Sequence, residues 1–356
     1  MRPLAAALAA ALLGACSTPP ASPTTTAVPV SPAPSESAAS SATPGPSAEP
    51  TSTVEPEPMF EMASYPVVAG SRPHDVAPAA DGGVWYTGQG NGTLGWLDPQ
   101  SGEVREVPLG PGSAPHGVIV GPDDAAWITD GGLNAIVRVD SESLEVSVFP
   151  LEVPDANLNT ATFDGDGILW FTGQGGWYGR LDPASGDVET FAAPRGAGPY
   201  GIATTPAGAV TYSSLAGSYL GLVDTAGGDV EVVDTPTPGG GARRVWSDST
   251  GRLWVTEWFA GNLAAYEPAD GTWQEWRVPG ESPQPYAVFV DETDAVWVTD
   301  FGGNSLHRFD PATEKWTTFE HASVPAEVRQ LLGRPGEVWG AESAADQLVV
   351  VRRTDR

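Results

Sequence analysis

One short motif recurs seven times along the C-terminal part of the chain, and this repetition limits the fold more than any other feature. Each copy is a mostly apolar tetrapeptide, usually with Trp in its second position, and successive copies lie 41 to 43 residues apart. The copies begin at Val84, Ala126, Leu169, Val210, Leu253, Val296 and Val338. Seven units of this length fill residues 59–356, and such regular self-similarity is typical of propellers and other repeat architectures.

Each unit contains signals for four β-strands. An alternating run such as 116–120 precedes the Trp strand, a Gly/Asn loop leads to a third strand such as 179–182, and a fourth strand follows at 187–191. The turn at 182–186 has Pro and Gly where a tight turn needs a fixed φ and a positive φ. The sequence therefore predicts an all-β fold, a seven-bladed β-propeller of four-stranded blades.

The last unit ends one strand short, after residues 347–351. The unassigned segment 60–68 lies before the first repeat, in the place of a fourth strand. We expect this N-terminal strand to pair with the C-terminal strands and to close the ring, which removes exposed sheet edges.

Composition excludes several functional classes. The chain carries 17 Lys+Arg against 45 Asp+Glu, a net charge of -28 that repels phosphate backbones and argues against a nucleic-acid partner. A single Cys cannot build a disulfide framework or a Cys-rich zinc site. We expect a monomer whose partners are small molecules.

The N-terminus has the features of an export signal. Residues 1–16 combine a basic start, a short apolar run and small residues before Cys16, which predicts a lipoprotein signal peptide with Cys16 as the lipid attachment site. The alternative is an ordinary cleavage site with an incidental Cys. Residues 17–58 are rich in Pro, Ser and Thr and predict a disordered linker. These features predict an extracytoplasmic protein that is lipid-anchored to the bacterial cell membrane.

The repeated Trp residues are expected in the core between blades, whereas two rows of varied polar residues are expected around one mouth of the central channel. The first row lies eleven residues before each Trp position: His74, His116, Asn159, Tyr200, Arg243, Tyr286 and Val328. The second row lies just after the Trp strand: Gln89, Asp130, Gln174, Ser214, Glu257, Asp300 and Glu342. Structural positions repeat from blade to blade, so this variation indicates a binding rim by analogy with other propellers.

Several of these residues have the chemistry of a catalytic or metal site. His74 and His116 come from neighbouring blades, and we expect Asp130 beside them, as metal ligands or as a base with an orienting acid. The carboxylates of Asp130, Glu257, Asp300 and Glu342 favour a hard divalent cation, Mg²⁺ or Ca²⁺. The alternatives are that the two His cap strand ends and that the acids form an ordinary solvated rim.

Other rim residues suit an organic ligand. Tyr200, Tyr286, Trp258 and Phe301 could stack on a cyclic, partly apolar molecule, or pack loops. Arg243, with Arg244 beside it, could hold a carboxylate or a phosphate, or neutralise its neighbours. The expected substrate-binding residues are these four aromatic residues together with Arg243, Asn159, Gln89 and Gln174.

The repeat resembles that of the streptogramin lyase family. The matching pieces are Pro-His-Gly-Val at 115–118, Pro-Tyr-Gly-Ile at 199–202, Leu-Trp-Phe-Thr at 169–172 and Gly-Arg-Leu-Asp-Pro at 179–183. The resemblance covers all seven units. It implies a seven-bladed propeller and a Mg²⁺-assisted elimination that opens a cyclic ester, with a His as general base.

The resemblance also locates a departure from the family pattern. It places the family's paired His in the last two units, where this chain has Tyr286 and Val328, and an acid two residues before the second His, where it has Ala326. Glu342 matches a family Glu that follows the last strand-two motif. His74 and His116 are then the substitute catalytic pair.

Three readings follow from the sequence. The first is a membrane-tethered lyase that opens a cyclic ester. The second is a non-catalytic binding or scaffold propeller of the cell envelope. The third is a metal-dependent, lactonase-like hydrolase, which needs the same acidic rim and an activated water.

Overall fold

The computed structural model describes residues 58–355, and every regular element in that range is a β-strand. The predictions for the signal peptide, for Cys16 and for nearly all of the linker fall on residues 1–57, outside the described range. Among the described residues, no helix is long and apolar enough to cross a bilayer.

The strands form seven four-stranded antiparallel sheets, which confirms the predicted propeller. Blade 1 contains β2 (Pro73–Pro78), β3 (Val84–Gly88), β4 (Thr93–Leu97) and β5 (Val104–Pro108). Blade 2 contains β6 (Pro115–Val120), β7 (Ala126–Asp130), β8 (Ala135–Val139) and β9 (Val146–Pro150). Blade 3 contains β10 (Leu158–Phe163), β11 (Leu169–Gly173), β12 (Trp177–Leu181) and β13 (Val188–Ala192).

The remaining blades repeat this order. Blade 4 contains β14 (Pro199–Thr204), β15 (Val210–Ser214), β16 (Tyr219–Val223) and β17 (Val230–Asp234). Blade 5 contains β18 (Ala242–Ser247), β19 (Leu253–Glu257), β20 (Asn262–Glu267) and β21 (Thr272–Arg277). Blade 6 contains β22 (Pro285–Val290), β23 (Val296–Asp300), β24 (Ser305–Asp310) and β25 (Lys315–Glu320). Blade 7 contains β26 (Val328–Arg334), β27 (Glu337–Glu342), β28 (Gln347–Arg353) and the N-terminal β1 (Phe60–Pro66).

The ring closes as predicted, because β1 pairs antiparallel with β28 from Phe60 opposite Arg353 to Pro66 opposite Gln347. Phe60 also packs edge-on against Trp297 and Phe319 of blade 6, with ring centroids 5.6 and 5.7 Å apart. The N-terminal strand therefore joins the last blade both to the chain's end and to its neighbour.

The repeated Trp side chains lie in the core, as expected. Each of the six is at most 3% exposed: Trp85, Trp127, Trp170, Trp254, Trp297 and Trp339. In blades 2, 3, 5 and 6 the indole N–H donates to an Asp in the turn before its strand, for example from Trp254 to Asp248 at 3.0 Å. A buried Trp usually needs such a partner, so these four blades satisfy their Trp locally and leave the indole body for packing, whereas the Trp85 indole N–H has no partner.

Candidate functional site

One residue from each innermost strand lies at the same mouth of the channel. The first residue of each innermost strand pairs with the last residue of the next strand, for example Pro115 with Asp130, so the second residues occupy equivalent positions. We call these seven residues the mouth ring: His74, His116, Asn159, Tyr200, Arg243, Tyr286 and Arg329.

Six ring residues match the predicted row, but in blade 7 the prediction of Val328 was wrong by one residue. The hairpin between β26 and β27 is one residue shorter than the others: Trp339 pairs with Leu332, seven residues earlier, whereas Trp297 pairs with Phe289, eight earlier. Counting eleven residues back from Trp339 therefore lands on Val328, which is 2% exposed and belongs to the core between blades. Arg329 is the blade-7 member of the ring.

Hydrogen bonds between the hydroxyls of the repeated Thr and backbone groups fix the ring in place. The Thr87 hydroxyl accepts from Asp75 N–H at 3.0 Å and donates to His116 C=O at 2.8 Å, in the next blade. Thr129 and Thr256 make the same link to Asn159 and Tyr286 at 2.6 and 2.8 Å. Each innermost strand is irregular in register here, consistent with a β-bulge that re-aims side chains.

His74, Asp75 and His116 form a buried cluster at this mouth. His74 Nδ1 lies 2.7 Å from Asp75 Oδ1, and the two imidazole rings are 3.8 Å apart between centroids. His74 and Asp75 are almost completely buried, and His116 is 9% exposed. His116 Nε2 lies 3.5 Å from Asn159 Nδ2, and its Nδ1 has no hydrogen-bond partner. The expected approach of the two His is confirmed.

Guanidinium groups surround the cluster. Arg244 Nη2 lies 3.4 Å from both oxygens of Asp75. Burial lowers the pKa of His74 well below its usual value, and Arg329, Arg244, Arg243 and Arg72 lower it further. Burial and the neighbouring His74 likewise lower the pKa of His116. Both imidazoles are therefore neutral at pH 7, inside a positively charged mouth of an acidic protein.

Asp75 takes the place beside the two His that we expected for Asp130. Burial raises its pKa, while Arg244 acts in the opposite direction and favours the carboxylate. Asp75 lies within the register irregularity of β2. In the sequence, the only signal for its role is that it directly follows a ring residue. Arg244 holds the equivalent place in blade 5.

The structure does not bring Asp130 to the His cluster. Its carboxylate accepts from Ser113 Oγ at 2.5 Å and from the backbone N–H of Ala114, Gly132 and Leu133 at 2.9 to 3.0 Å. These bonds hold the loop before β6 and the loop after β7. A short acid between two Gly-rich loops is well placed for that role.

Two other acids of the predicted arc, Asp300 and Glu342, likewise accept hydrogen bonds from neighbouring loops. Burial would raise the pKa of Asp300, but the His307 side chain and the N–H groups of Gln284, Gly302 and Gly303 outweigh it and lower the pKa. In Glu342, hydrogen bonds from His321 at 2.8 Å and Ser323 at 2.7 Å outweigh burial and lower the pKa.

Glu257 differs from these two acids. Burial, followed by the neighbouring Glu275, raises the pKa of Glu257 to about 7, and its Oε2 has no partner. Its Oε1 accepts from Thr237 N–H at 3.4 Å, so this acid also faces a loop of its own blade.

Within residues 58–355, one group of three His, Cys, Asp or Glu residues could hold a metal, namely His74, Asp75 and His116, with ligand atoms within 4.8 Å of one another. Two imidazoles and one carboxylate suit a borderline ion such as Zn²⁺, whereas Mg²⁺ prefers oxygen ligands. The carboxylate is already engaged by Arg244 and His74, and further guanidiniums repel a cation. These residues do not fit Mg²⁺.

The predicted aromatic residues come together around Arg243. Its guanidinium carbon lies 3.5 Å from the ring centroid of Tyr286, 4.2 Å from that of Trp258 and 4.8 Å from that of Tyr200. Phe301 stacks on Tyr286 at 5.0 Å between centroids, and Arg243 donates to Tyr200 OH at 3.0 Å. The mouth thus combines aromatic faces with a cation.

Gln89 and Gln174 lie one residue beyond the ends of their strands and are partly exposed. The Gln174 N–H donates to Asn157 C=O at 2.9 Å. Gly88 and Gly173, and not these two Gln, are the residues equivalent to Asp130 in blades 1 and 3.

Comparison with known proteins places this geometry in a family. The sequence profile of the virginiamycin B lyase family matches residues 53–300. The chain belongs to the virginiamycin B lyase family. No curated protein sequence matches it.

Solved structures of virginiamycin B lyases share the fold. Virginiamycin B lyase from Staphylococcus aureus, in a selenomethionine form, superposes with a TM-score of 0.77 at 19% identity and covers 83% of this chain and 100% of its own. A streptogramin B lyase superposes with the same TM-score at 22% identity, covering 83% and 98%. A catalytically inactive His-to-Ala variant of the Staphylococcus enzyme, solved with quinupristin, gives the same values as the first.

A structure of another kind shares the fold at greater distance. The extracellular domain of a putative hybrid two-component system from B. thetaiotaomicron superposes with a TM-score of 0.66 at 15% identity, covering 82% of this chain and 42% of its own. At these identities the likenesses establish the fold alone.

The corrected register shifts a second blade-7 position as well. Arg329 and Glu327, two residues before it, take the places that counting along the sequence gave to Val328 and Ala326. Glu327 has φ 58°, as Asn157, two before Asn159, has φ 52°. Arg329 Nη2 lies 2.6 Å from Glu327 Oε2. A carboxylate and a guanidinium are therefore paired at this point of blade 7.

Proposed function

We propose that this propeller binds an anionic or ester-containing small molecule at the mouth ring and opens a cyclic ester by elimination, with His116 as general base. The observation that carries the proposal is the buried His74–Asp75–His116 cluster, with a partnerless Nδ1 on His116 and guanidiniums around it. Family membership supports the reaction class.

His116 is the better base of the two His. It is the more exposed of the pair, at 9% against 2% for His74, and, unlike His74, it is not hydrogen-bonded to Asp75. A neutral imidazole is the form that a general base requires. His74 is held by Asp75 at 2.7 Å and packs against the His116 ring, so these two act as positioning residues.

Arg243, Arg244 and Arg329 supply the positive charge that the reaction needs. Proton removal beside a carbonyl places negative charge on its oxygen, and preorganised donors stabilise that charge most in a site that excludes water. The Nε atoms of all three Arg are buried and without a partner. These donors could stabilise an enolate without a metal ion.

The reaction balances on these groups. His116 takes the proton from the carbon next to the carbonyl, and the electron pair of that C–H bond forms a C=C double bond to the neighbouring carbon. The C–O bond of the ester breaks at that carbon, and the ester oxygen leaves as a carboxylate. The proton passes from the imidazolium to solvent.

The aromatic side of the mouth is suited to the ligand body. Trp258, Tyr286 and Phe301 lie in edge or stacked contact with one another at 5.0 to 5.6 Å between centroids. Rigid aromatic faces bind cyclic, partly apolar molecules at low entropic cost. Asn159, beside His116, has a buried Oδ1 without a partner that could accept a ligand N–H.

A linearisation assay tests the proposal. The purified propeller is incubated with a streptogramin B in EDTA, and the linear product is detected by mass spectrometry. We expect turnover in EDTA, and a loss of about 10²-fold or more in His116→Ala. His307→Gln is the control, since His307 is buried between Ser305 and Thr318 on an outer strand. Absence of product with and without added Mg²⁺ would reject streptogramin cleavage.

A non-catalytic binding propeller is the first alternative. Tyr286 and Arg329 stand where the family has its His pair, and this substitution favours binding without turnover. Saturable binding of the streptogramin without linear product, weakened in Arg243→Met, would favour this alternative.

A metal-dependent hydrolase is the second alternative, favoured by the short distances within the His74, Asp75 and His116 group. The divalent ion expected from the sequence, Mg²⁺ or Ca²⁺, stays a prediction. Melting curves with Zn²⁺, Mg²⁺ or Ca²⁺ test it, because a ligand that binds only the folded state raises Tm. A rise that His116→Ala abolishes would favour the hydrolase over a metal-free elimination.

We also propose that the protein is a monomer tethered outside the cytoplasm through a lipid on Cys16. The proposal rests on the sequence of residues 1–58. Metabolic labelling with a fatty acid should mark the full-length chain and leave Cys16→Ser unlabelled. Label on both proteins, or on neither, would contradict a lipid at this residue. Light scattering of the propeller should give the mass of one chain.

A further inference from the structure

The central channel contains a second chamber, beyond the His cluster. This cavity has a volume of about 360 Å³, within the range of small-molecule sites, and residues from all seven innermost strands line it. Its lining residues lie one to four residues further along those strands than the mouth ring, so the cavity extends roughly 3–13 Å beyond the ring at the rise of a β-strand. We call it the distal cavity.

The walls of the distal cavity are mostly apolar, with Thr160 and Thr162 among them, and its inner end is polar. Aliphatic and aromatic side chains such as Ile119, Val288 and Phe289 form the walls. Pro78, Val120, Phe163, Trp246 and Leu332, all partly exposed, lie at the outer end of the strands. Arg244 and Gln330 line the inner end, where the channel meets the His cluster.

The polar inner end offers hydrogen-bond donors that the protein does not use. Arg244 is 4% exposed, its Nη2 reaches Asp75 at 3.4 Å, and its Nε has no partner. Gln330 accepts from Val76 N–H through Oε1 at 3.0 Å, which leaves its amide N–H groups as donors. A buried cation with an unpaired donor is costly unless another group completes it.

We propose that the distal cavity binds a small amphipathic carboxylate, with its head at Arg244 and Gln330 and its apolar chain along the channel toward Trp246. A carboxylate matches the planar guanidinium and accepts from several donors at once. An apolar chain matches the walls. This site shares Arg244 with the elimination proposed above, but no mouth-ring residue lines it, so binding here is measured apart from turnover.

Octanoate is a suitable probe, with octan-1-ol as the neutral molecule of equal chain length. Isothermal titration calorimetry of the propeller should show one saturable site for octanoate. Octanol should bind at least tenfold more weakly, because it lacks the charge that Arg244 complements. No saturable octanoate binding would overturn the proposal, and equal affinity for octanol would overturn the role of the carboxylate.

Three variants locate the site. Val120→Trp places a large side chain at a partly exposed wall position and should abolish octanoate binding. Arg244→Met should weaken octanoate at least tenfold and leave octanol unchanged, and Gln330→Leu should weaken octanoate by a smaller factor. Arg329→Met removes a cation from the mouth ring and should leave octanoate affinity unchanged.

The opposite pattern contradicts the placement. Octanoate that binds Val120→Trp normally but loses affinity in Arg329→Met sits at the mouth ring. Gln330→Leu keeps the proposal testable if Arg244→Met fails to fold, since Gln330 carries no charge whose removal leaves Asp75 unpaired.

Discussion

The imidazole rings of His74 and His116 lie 3.8 Å apart between centroids, although 42 positions separate them in the chain. The repeat brings them together, because each is the second residue of an innermost strand in adjacent blades. One of them is fixed by Asp75, and the other has a free ring nitrogen. In the elimination proposed above, this asymmetry assigns His74 to positioning and His116 to proton removal.

The Thr87 hydroxyl should be essential for this pairing. Thr87→Val leaves Asp75 N–H and His116 C=O without their partner in a buried site, a cost of about 1–3 kcal/mol in unfolding free energy. Thr87→Ser keeps the hydroxyl and should lose much less. Urea denaturation measures both variants, and equal losses would show that the hydroxyl does not link the two blades.

Closure of the ring by β1 should contribute measurably to stability. Phe60→Ala removes the ring that contacts Trp297 and Phe319 across the blade boundary, and we expect a loss of about 1–3 kcal/mol. Met59, which is 62% exposed, is the control, and Met59→Ala should change stability by no more than about 0.5 kcal/mol. A Phe60→Ala protein as stable as Met59→Ala would contradict the closing role of this strand.

Glu257 should make the fold less stable at alkaline pH. Burial, followed by Glu275, raises its pKa to about 7. A raised carboxyl pKa means that the folded state holds a proton the unfolded state releases near pH 4, so stability falls as the pH rises from about 4 through 7. Glu257→Gln keeps an uncharged side chain, and its stability relative to wild type should increase between pH 5 and 8.

Glu337 is the control, because its pKa is shifted in the opposite direction. Burial would raise its pKa, but hydrogen bonds from Arg352 and Trp339 and the charge of Arg334 outweigh it and lower the pKa. Its stabilisation is fully present above the unfolded pKa, so Glu337→Gln should be destabilised by a constant amount between pH 5 and 8. If Glu257→Gln behaves in the same way, the raised pKa of Glu257 is not supported.

The sequence predicted the architecture because its determinants are local and repeated. The spacing of the repeated motif identifies the seven blades. The turn sequences are equally local: in the turn from Asp98 to Gly102, Gly102 adopts φ 77° and its N–H donates to Asp98 C=O at 2.8 Å. The closing strand was predictable because the seventh unit lacked a fourth strand and residues 60–68 belonged to no unit.

The site was predictable only in part, because it depends on small irregularities. A hairpin shorter by one residue moves Arg329 into the ring in place of Val328, and a bulge brings Asp75 beside His74. The spacing also predicted Asp130 beside the two His, but N–H groups of the neighbouring loops engage its carboxylate. Counting along a sequence detects none of these three effects.

Deuterium substitution in the substrate is the most direct test of proton removal by His116. A streptogramin B labelled at the carbon that loses its proton is incubated with the propeller in EDTA, beside the unlabelled compound. If His116 removes this proton, the linear product should form more slowly from the labelled compound and should be lost in His116→Ala. A linear product that forms at equal rates, or undiminished in His116→Ala, would contradict proton abstraction by this residue.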